Sequence, residues 1–282
     1  MPFPPAVARA ISQVFVDDAE RQRLQDLHFQ DAGHGYDSFG MHPDFVTMAT
    51  LIAGPLYDRY FRVISTGHEH LPAHGPGIIV ANHSGNIPLD GMMMWLDVLR
   101  HTSPPRVVRA VADHFVPSLP FVGTLFARAG MVGGSMGNAR ALLQSGELLM
   151  IFPEGTPGIV KPWKERYQLR PFRVGHAELA IRWGAPVVPC GVVGAEEQMP
   201  QLTTSRTLGK PFGIPEVPIP VVPMILPVRY HLLWGPPIPL HEEYRPDQAD
   251  DPAIVRQAAA RVQAAVDALV KKGLKARTGI FR

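Results

Sequence analysis

The chain has 282 residues, 46% of them hydrophobic and 18% charged, with a formal net charge of +2. That balance fits a globular protein with a sizeable core; it excludes a disordered chain and gives no bulk positive charge for nucleic acid. A single cysteine, Cys190, leaves no internal disulfide framework and no thiolate metal cluster.

In chain order, residues 5–28 read as one helix, with Val7, Ile11, Val14 and Phe15 at helical spacing. A glycine-rich loop follows, and residues 44–62 read as a second helix. The start MPFPPAVARA lacks the basic-then-apolar order of a secretory signal. No apolar run reaches the roughly 18 residues of a membrane-spanning helix. FRVISTGHEHL and GPGIIVAN read as strands, with His68 and His70 on one strand face, and DGMMMWLDVLR as a helix. PRVVRAVAD is a strand, and GTLFARAGMV leads into another short one. GNARALLQSG is a helix ending at Gly146, ELLMIF a strand, GHAELAIRWG a helix, and APVVPCGVVG and RYHLLWG strands. The last helix, 251–272, has Asp251 as cap, Pro252 at its first position, a stripe of Val255, Ala258, Val262, Ala265, Val266 and Leu269, and Gly273 as its stop.

Strands alternating with helices predict an α/β fold, a mixed β-sheet flanked by helices. The expected organisation is an N-terminal helical appendage, 1–62, and a catalytic domain, 63–282. The appendage, centred on residues 45–61, is expected to touch a membrane surface. Two basic runs, KPWKERYQLRPFR at 161–173 and the tail after Asp267, suit phosphate groups or an anionic membrane.

Two strand ends carry chemistry. IIVANHSGNIPLDG puts His83 at the exit of an apolar strand and Asp90 at the next helix start. Histidine titrates near neutrality and serves as a general base when a carboxylate orients its other ring nitrogen. The same two residues also suit plain strand-end and helix-cap roles. LLMIFPEGTPG sets Glu154, Gly155 and Thr156 at the exit of a second strand, a turn that can hydrogen-bond a polyol or phosphate.

Together, NH…D after one strand and FPEGT after a later one resemble the lysophospholipid acyltransferase family, which includes glycerol-3-phosphate and 1-acylglycerol-3-phosphate O-acyltransferases. The resemblance runs from about Phe61 to Pro239. RVISTGHEHLPAHGPGIIVANH resembles the lead-in to the family histidine. GTLFARAG, with Gly123, Phe126 and Arg128, resembles a second block, and APVVPCGVVG, with Pro186 and Pro189, a fourth. Six residues separate His83 from Asp90, where the family usually has four. This resembles a divergent branch sharing features with diacylglycerol-acyltransferase-like members. Pro157-Gly158 stands where many members have Arg-Ser.

The resemblance implies an O-acyltransferase without metal or prosthetic group. It would move a fatty acyl group from acyl-CoA or acyl-carrier protein, as co-substrate, to a hydroxyl of a lysophospholipid or related glycerolipid. His83 is the implied base and Asp90 its orienter. Glu154, Gly155 and Thr156 are implied to position the acceptor, Arg128 and Lys161 to meet its phosphate, and Met92, Met93 and Met94 to line an acyl groove. The implied location is peripheral, on the cytoplasmic side of a membrane, with no nucleic-acid partner.

Two alternatives remain open on sequence. GGSMG, 133–137, matches the G-x-S-x-G of a nucleophile elbow, so Ser135 with His176, His231 or His241 could make a serine esterase or lipase. The chain could also be a lipid-binding member of the fold without catalysis.

Overall fold

The computed structural model describes residues 4–83, 89–112, 121–205 and 217–282. Helices α1 (Pro5–Phe15), α2 (Asp18–Arg23) and α3 (Pro43–Pro55) precede β1 (Ile64–Thr66) and β2 (Gly77–Ala81). Next come α4 (Leu89–His101), β3 (Val108–Ala112), α5 (Val122–Arg128), β4 (Val132–Gly133), α6 (Met136–Gln144) and β5 (Leu148–Ile151). Then follow α7 (Thr156–Ile159), α8 (Gly175–Trp183), β6 (Val187–Val193), β7 (Gln201–Ser205), β8 (Val217–Pro220), β9 (His231–Trp234), α9 (Leu240–Glu243) and α10 (Pro252–Ala276).

Seven strands form one sheet in the order β1-β9-β6-β2-β5-β3-β4. From β6 to β4 neighbouring strands run parallel; β9 is antiparallel to β6 and parallel to β1. The fold is the expected mixed α/β sheet. β7 and β8 make a separate antiparallel pair.

The central strands are covered on both faces, which is why they read as continuous apolar runs. Along β2, Ile79 and Ala81 join a core with α3 and α4, while Ile78 and Val80 join one with α6, α8 and α10. The ends of β2 and β5 therefore open at one edge of the sheet, where ligands bind in open α/β folds.

Helix α4 is locked in place by Asp97, one heptad beyond Asp90 and on the same face. The buried Asp97 carboxylate accepts from Ser65 Oγ at 2.8 Å, from Trp234 Nε1 at 2.7 Å and from the Tyr57 hydroxyl. These bonds tie the helix to β1, to β9 and to the helical turn after α3.

Several expectations are corrected. Residues 5–28 are not one helix: the chain breaks at Val16, and Asp17 caps α2 by accepting from Ala19 N at 2.9 Å. In α1 the small Ala8 and Ser12 are buried, while Val14 and Phe15 are 73% and 67% exposed. Small side chains let α1 lie close to α3, and an Arg9–Asp44 ion pair at 2.9 Å joins the two helices. Gly273 is no helix stop. α10 continues to Ala276, and Gly273 is buried where a Cβ would meet Leu233 at 2.7 Å and Val193 at 3.0 Å. His68 and His70 sit on a helical turn rather than a strand, with His68 stacked on His101 at 4.1 Å. Met93 and Met94 are fully buried core residues rather than groove lining, and the partly buried Met92 packs against the same core. Among the described residues, no helix is long and apolar enough to cross a membrane.

Candidate active site

The site begins with Asn82. Its side chain continues the sheet beyond β2, donating from Nδ2 to Val192 O at 2.9 Å and accepting from Val192 N at 2.8 Å. This clamp to β6 fixes the strand end and lets the next side chain, His83, leave the sheet edge. His83 Nδ1 lies 2.8 Å from Asp90 Oδ2. A carboxylate can only accept here, so Nδ1 carries the proton and Nε2 is the free basic nitrogen. Asp90 is itself fully buried, and its Oδ1 accepts from Gly91 N at 2.8 Å. Residues 84–88, between the two in sequence, lie outside the described residues. The imidazole stacks on Phe152 with ring centroids 4.2 Å apart and keeps 12% of its surface exposed. It is held on one side by a carboxylate and on one face by an aromatic ring.

Glu154 acts on the same histidine from below. Its Oε1 accepts from the His83 backbone N–H at 3.0 Å, and its Oε2 accepts from Arg170 N at 2.7 Å and Lys161 Nζ at 3.3 Å. Lys161 also donates to Glu196 Oε1 at 2.8 Å, and Glu196 Oε2 accepts from Tyr167 N at 2.8 Å. Burial holds the Glu196 carboxyl above its usual range, against the pull of the Lys161 ammonium. Two carboxylates, one ammonium and three backbone N–H groups form a closed buried network, the arrangement that makes buried charge tolerable. Gly158 completes it by close approach: a Cβ there would lie 2.7 Å from Glu154 Cβ and 3.2 Å from His83 O.

The fold and the resemblance have independent counterparts in known proteins. The Acyltransferase family profile matches residues 62–193. An uncharacterized protein of Mycobacterium tuberculosis is 34% identical over 274 residues, 93% of this chain and 74% of that protein. The chain belongs to the Acyltransferase family. The DGAT1/2-independent enzyme synthesizing storage lipids of Bos taurus is 29% identical over 209 residues, covering 73% of this chain and 58% of that protein. The crystal structure of the 1-acyl-sn-glycerophosphate (LPA) acyltransferase PlsC from Thermotoga maritima shares the fold, with a TM-score of 0.55 at 17% identity over 98% of this chain and 96% of that one.

Within this acyltransferase the expected site residues divide. His83, Asp90 and Glu154 are brought together. Gly155 and α7 follow directly, with Thr156 opening that helix; the Thr156 side chain lies outside the described part. Lys161 reaches the site but is buried and held by Glu154 and Glu196, so its charge is already matched. Arg128 is turned elsewhere. Its Nη1 donates to Gly40 O at 2.9 Å and its guanidinium lies 4.2 Å from the Tyr36 ring centroid, so it fastens the N-terminal loop. Both departures have one cause: a long cation finds a carbonyl, carboxylate or ring within its own fold, which sequence spacing does not reveal.

Ser135 is the N-cap of α6, accepting from Asn138 N at 3.0 Å, behind a two-residue strand. Of its sequence partners, His176 is buried with Nδ1 2.9 Å from Arg173 O, and burial brings its pKa down to about 4. Among the described residues, no histidine hydrogen-bonds Ser135. Phe152, Gly158 and Glu196 are site residues that sequence reasoning missed. Phe152 had a signal, since it precedes the Pro-Glu-Gly turn at a strand exit.

Proposed function

We propose that the protein transfers a fatty acyl group from a thioester, acyl-CoA or acyl-carrier protein, to a hydroxyl of a lysophospholipid or related glycerolipid, with His83 as general base. The observation that carries this reading is the 2.8 Å contact between His83 Nδ1 and a fully buried Asp90 carboxylate. It leaves Nε2 to take the acceptor's proton as the hydroxyl oxygen attacks the thioester carbonyl. The C–S bond breaks and the sulfur leaves as the thiol, taking the proton from the His83 imidazolium; the thioester is already activated, so no covalent enzyme intermediate is needed. Asp90 holds the tautomer and stabilises the imidazolium. Glu154 fixes the backbone on which the base stands. The names of the similar proteins, an enzyme synthesizing storage lipids and a 1-acyl-sn-glycerophosphate (LPA) acyltransferase, support a glycerolipid acceptor.

Catalysis takes place at a membrane surface, on its cytoplasmic side, with the protein bound peripherally. The exposed Val14 and Phe15 of α1 and Ile52 of α3, which is 64% exposed, support this contact. Phe45 and Phe61 of the same segment are core residues, so removing residues 1–62 would unfold the protein. Flotation with liposomes should instead compare wild type with Phe15→Glu; unchanged binding would exclude α1 as the contact.

The test of the reaction is acyl transfer by purified protein from labelled oleoyl-CoA and oleoyl-acyl-carrier protein. Acceptors are lysophosphatidic acid, other lysophospholipids, glycerol-3-phosphate and diacylglycerol. An acylated acceptor is expected. Release of free oleate alone would favour the esterase, and absence of any turnover would favour a lipid-binding protein.

A further inference from the structure

The substrates proposed above carry phosphate, and the two cations first expected to meet it are engaged: Arg128 with Gly40 and Tyr36, Lys161 with Glu154 and Glu196. Of the other cations of the basic run 161–173, Lys164 is exposed and unpaired among the described residues, but Arg166 and Arg170 are engaged. Arg166 lies 4.4 Å from the Trp163 ring centroid and donates to Trp163 O at 3.2 Å, and Arg170 pairs with Glu165. Residues 84–88, between His83 and Asp90 in sequence, contain neither Lys nor Arg.

Arg173 differs. Its backbone N–H donates to Pro153 O at 3.0 Å, which pins it against the Pro-Glu-Gly turn. It is an exposed residue, and its guanidinium makes no hydrogen bond or ion pair among the described residues. The group lies flat on Gly155: a Cβ on that residue would sit 3.1 Å from Arg173 Cζ and 3.3 Å from each terminal nitrogen. Gly155 has φ of +60°, a backbone conformation that disfavours any side chain there. The glycine makes a seat for the arginine, one residue from the Glu154 carboxylate that holds His83 N. An unpaired guanidinium offers a planar set of donors suited to bidentate contact with phosphate.

We propose that Arg173, seated on Gly155, is the residue that binds the phosphate of a substrate at this site, either in the coenzyme A of the donor or in the head group of the acceptor. The proposal rests on the acyl-transfer reading for its choice of ligands, but its test needs no turnover, so the two fail separately. Titration calorimetry would compare wild type, Arg173→Gln and Arg173→Lys with coenzyme A and with lysophosphatidic acid in neutral micelles. Pantetheine and monoacylglycerol serve as the phosphate-free counterparts. Losing a hydrogen-bonded charge pair should weaken binding by about 10- to 100-fold, with Arg173→Lys keeping part of the affinity. Weakening confined to coenzyme A assigns the phosphate to the donor, and weakening confined to lysophosphatidic acid assigns it to the acceptor. The proposal is overturned if Arg173→Gln binds both ligands as wild type does, if pantetheine and monoacylglycerol weaken equally, or if wild type binds neither phosphate ligand.

Discussion

A helix and a turn meet at His83, and each contributes a buried carboxylate to it. From the first turn of α4, Asp90 bonds the imidazole; from the turn after β5, Glu154 bonds the backbone amide. The first contact sets which ring nitrogen is basic. The second sets where the residue stands, and it is part of a network with Lys161 and Glu196 that holds the turn itself together. The difference teaches that two acidic residues around one histidine, equally buried and similarly close, do different things: one tunes chemistry and the other builds the platform.

Substitutions that leave shape alone break this comparison most clearly. Asp90→Asn should keep the fold and lower kcat by roughly 10²- to 10⁴-fold, because the amide no longer fixes the tautomer or stabilises the imidazolium. Steady-state kinetics beside a melting curve would show it. Glu154→Gln should show the reverse emphasis. It removes a charge from a buried network and should cost about 3 kcal/mol, a Tm fall of roughly 6–12 °C for a domain of this size. If Glu154→Gln left Tm unchanged and removed activity, Glu154 would belong with Asp90 instead.

The pH dependence of stability sharpens the same contrast outside the two carboxylates. His176 sits beneath Arg173, and burial lowers its pKa from 6.5 to about 4. Between these values the unfolded chain binds the proton and the folded one does not, so stability should fall as pH drops from 6.5 towards 4. The full effect is on the order of 3 kcal/mol. Denaturant titrations of wild type and His176→Asn across that range would measure it, and the variant should have the shallower slope. Ser135→Ala should do least: about 0.5–1 kcal/mol for a lost helix cap, with acyl transfer unchanged.

Much of the fold was legible because its signals are local. The apolar runs of β2, β5 and β6 and the Asp251-Pro252 start of α10 each depend on a few adjacent residues. The stripe of α10 also pointed the right way, with Val255, Ala258, Val262 and Val266 buried. The stripe of α1 misled, since helical spacing reveals an apolar face but not what faces it, and α3 packs on Ala8 and Ser12 instead. Gly273 misled for a related reason: a glycine near a helix end reads as a stop, whereas here Leu233 and Val193 require it. At the site, His83 and Asp90 were legible because they lie only seven residues apart, one after a strand and one at the start of the next helix. Arg128, Lys161 and Arg173 were not, because the partner of a long cation is set by tertiary packing.

The central claim is that His83 is the base of an acyl transfer. The most direct measurement is the transfer rate from oleoyl-CoA to the best acceptor by wild type and by His83→Ala, with folding verified by circular dichroism and Tm. A loss of about 10³-fold or more, with folding intact, is the expected result. Transfer by His83→Ala at close to the wild-type rate would contradict it.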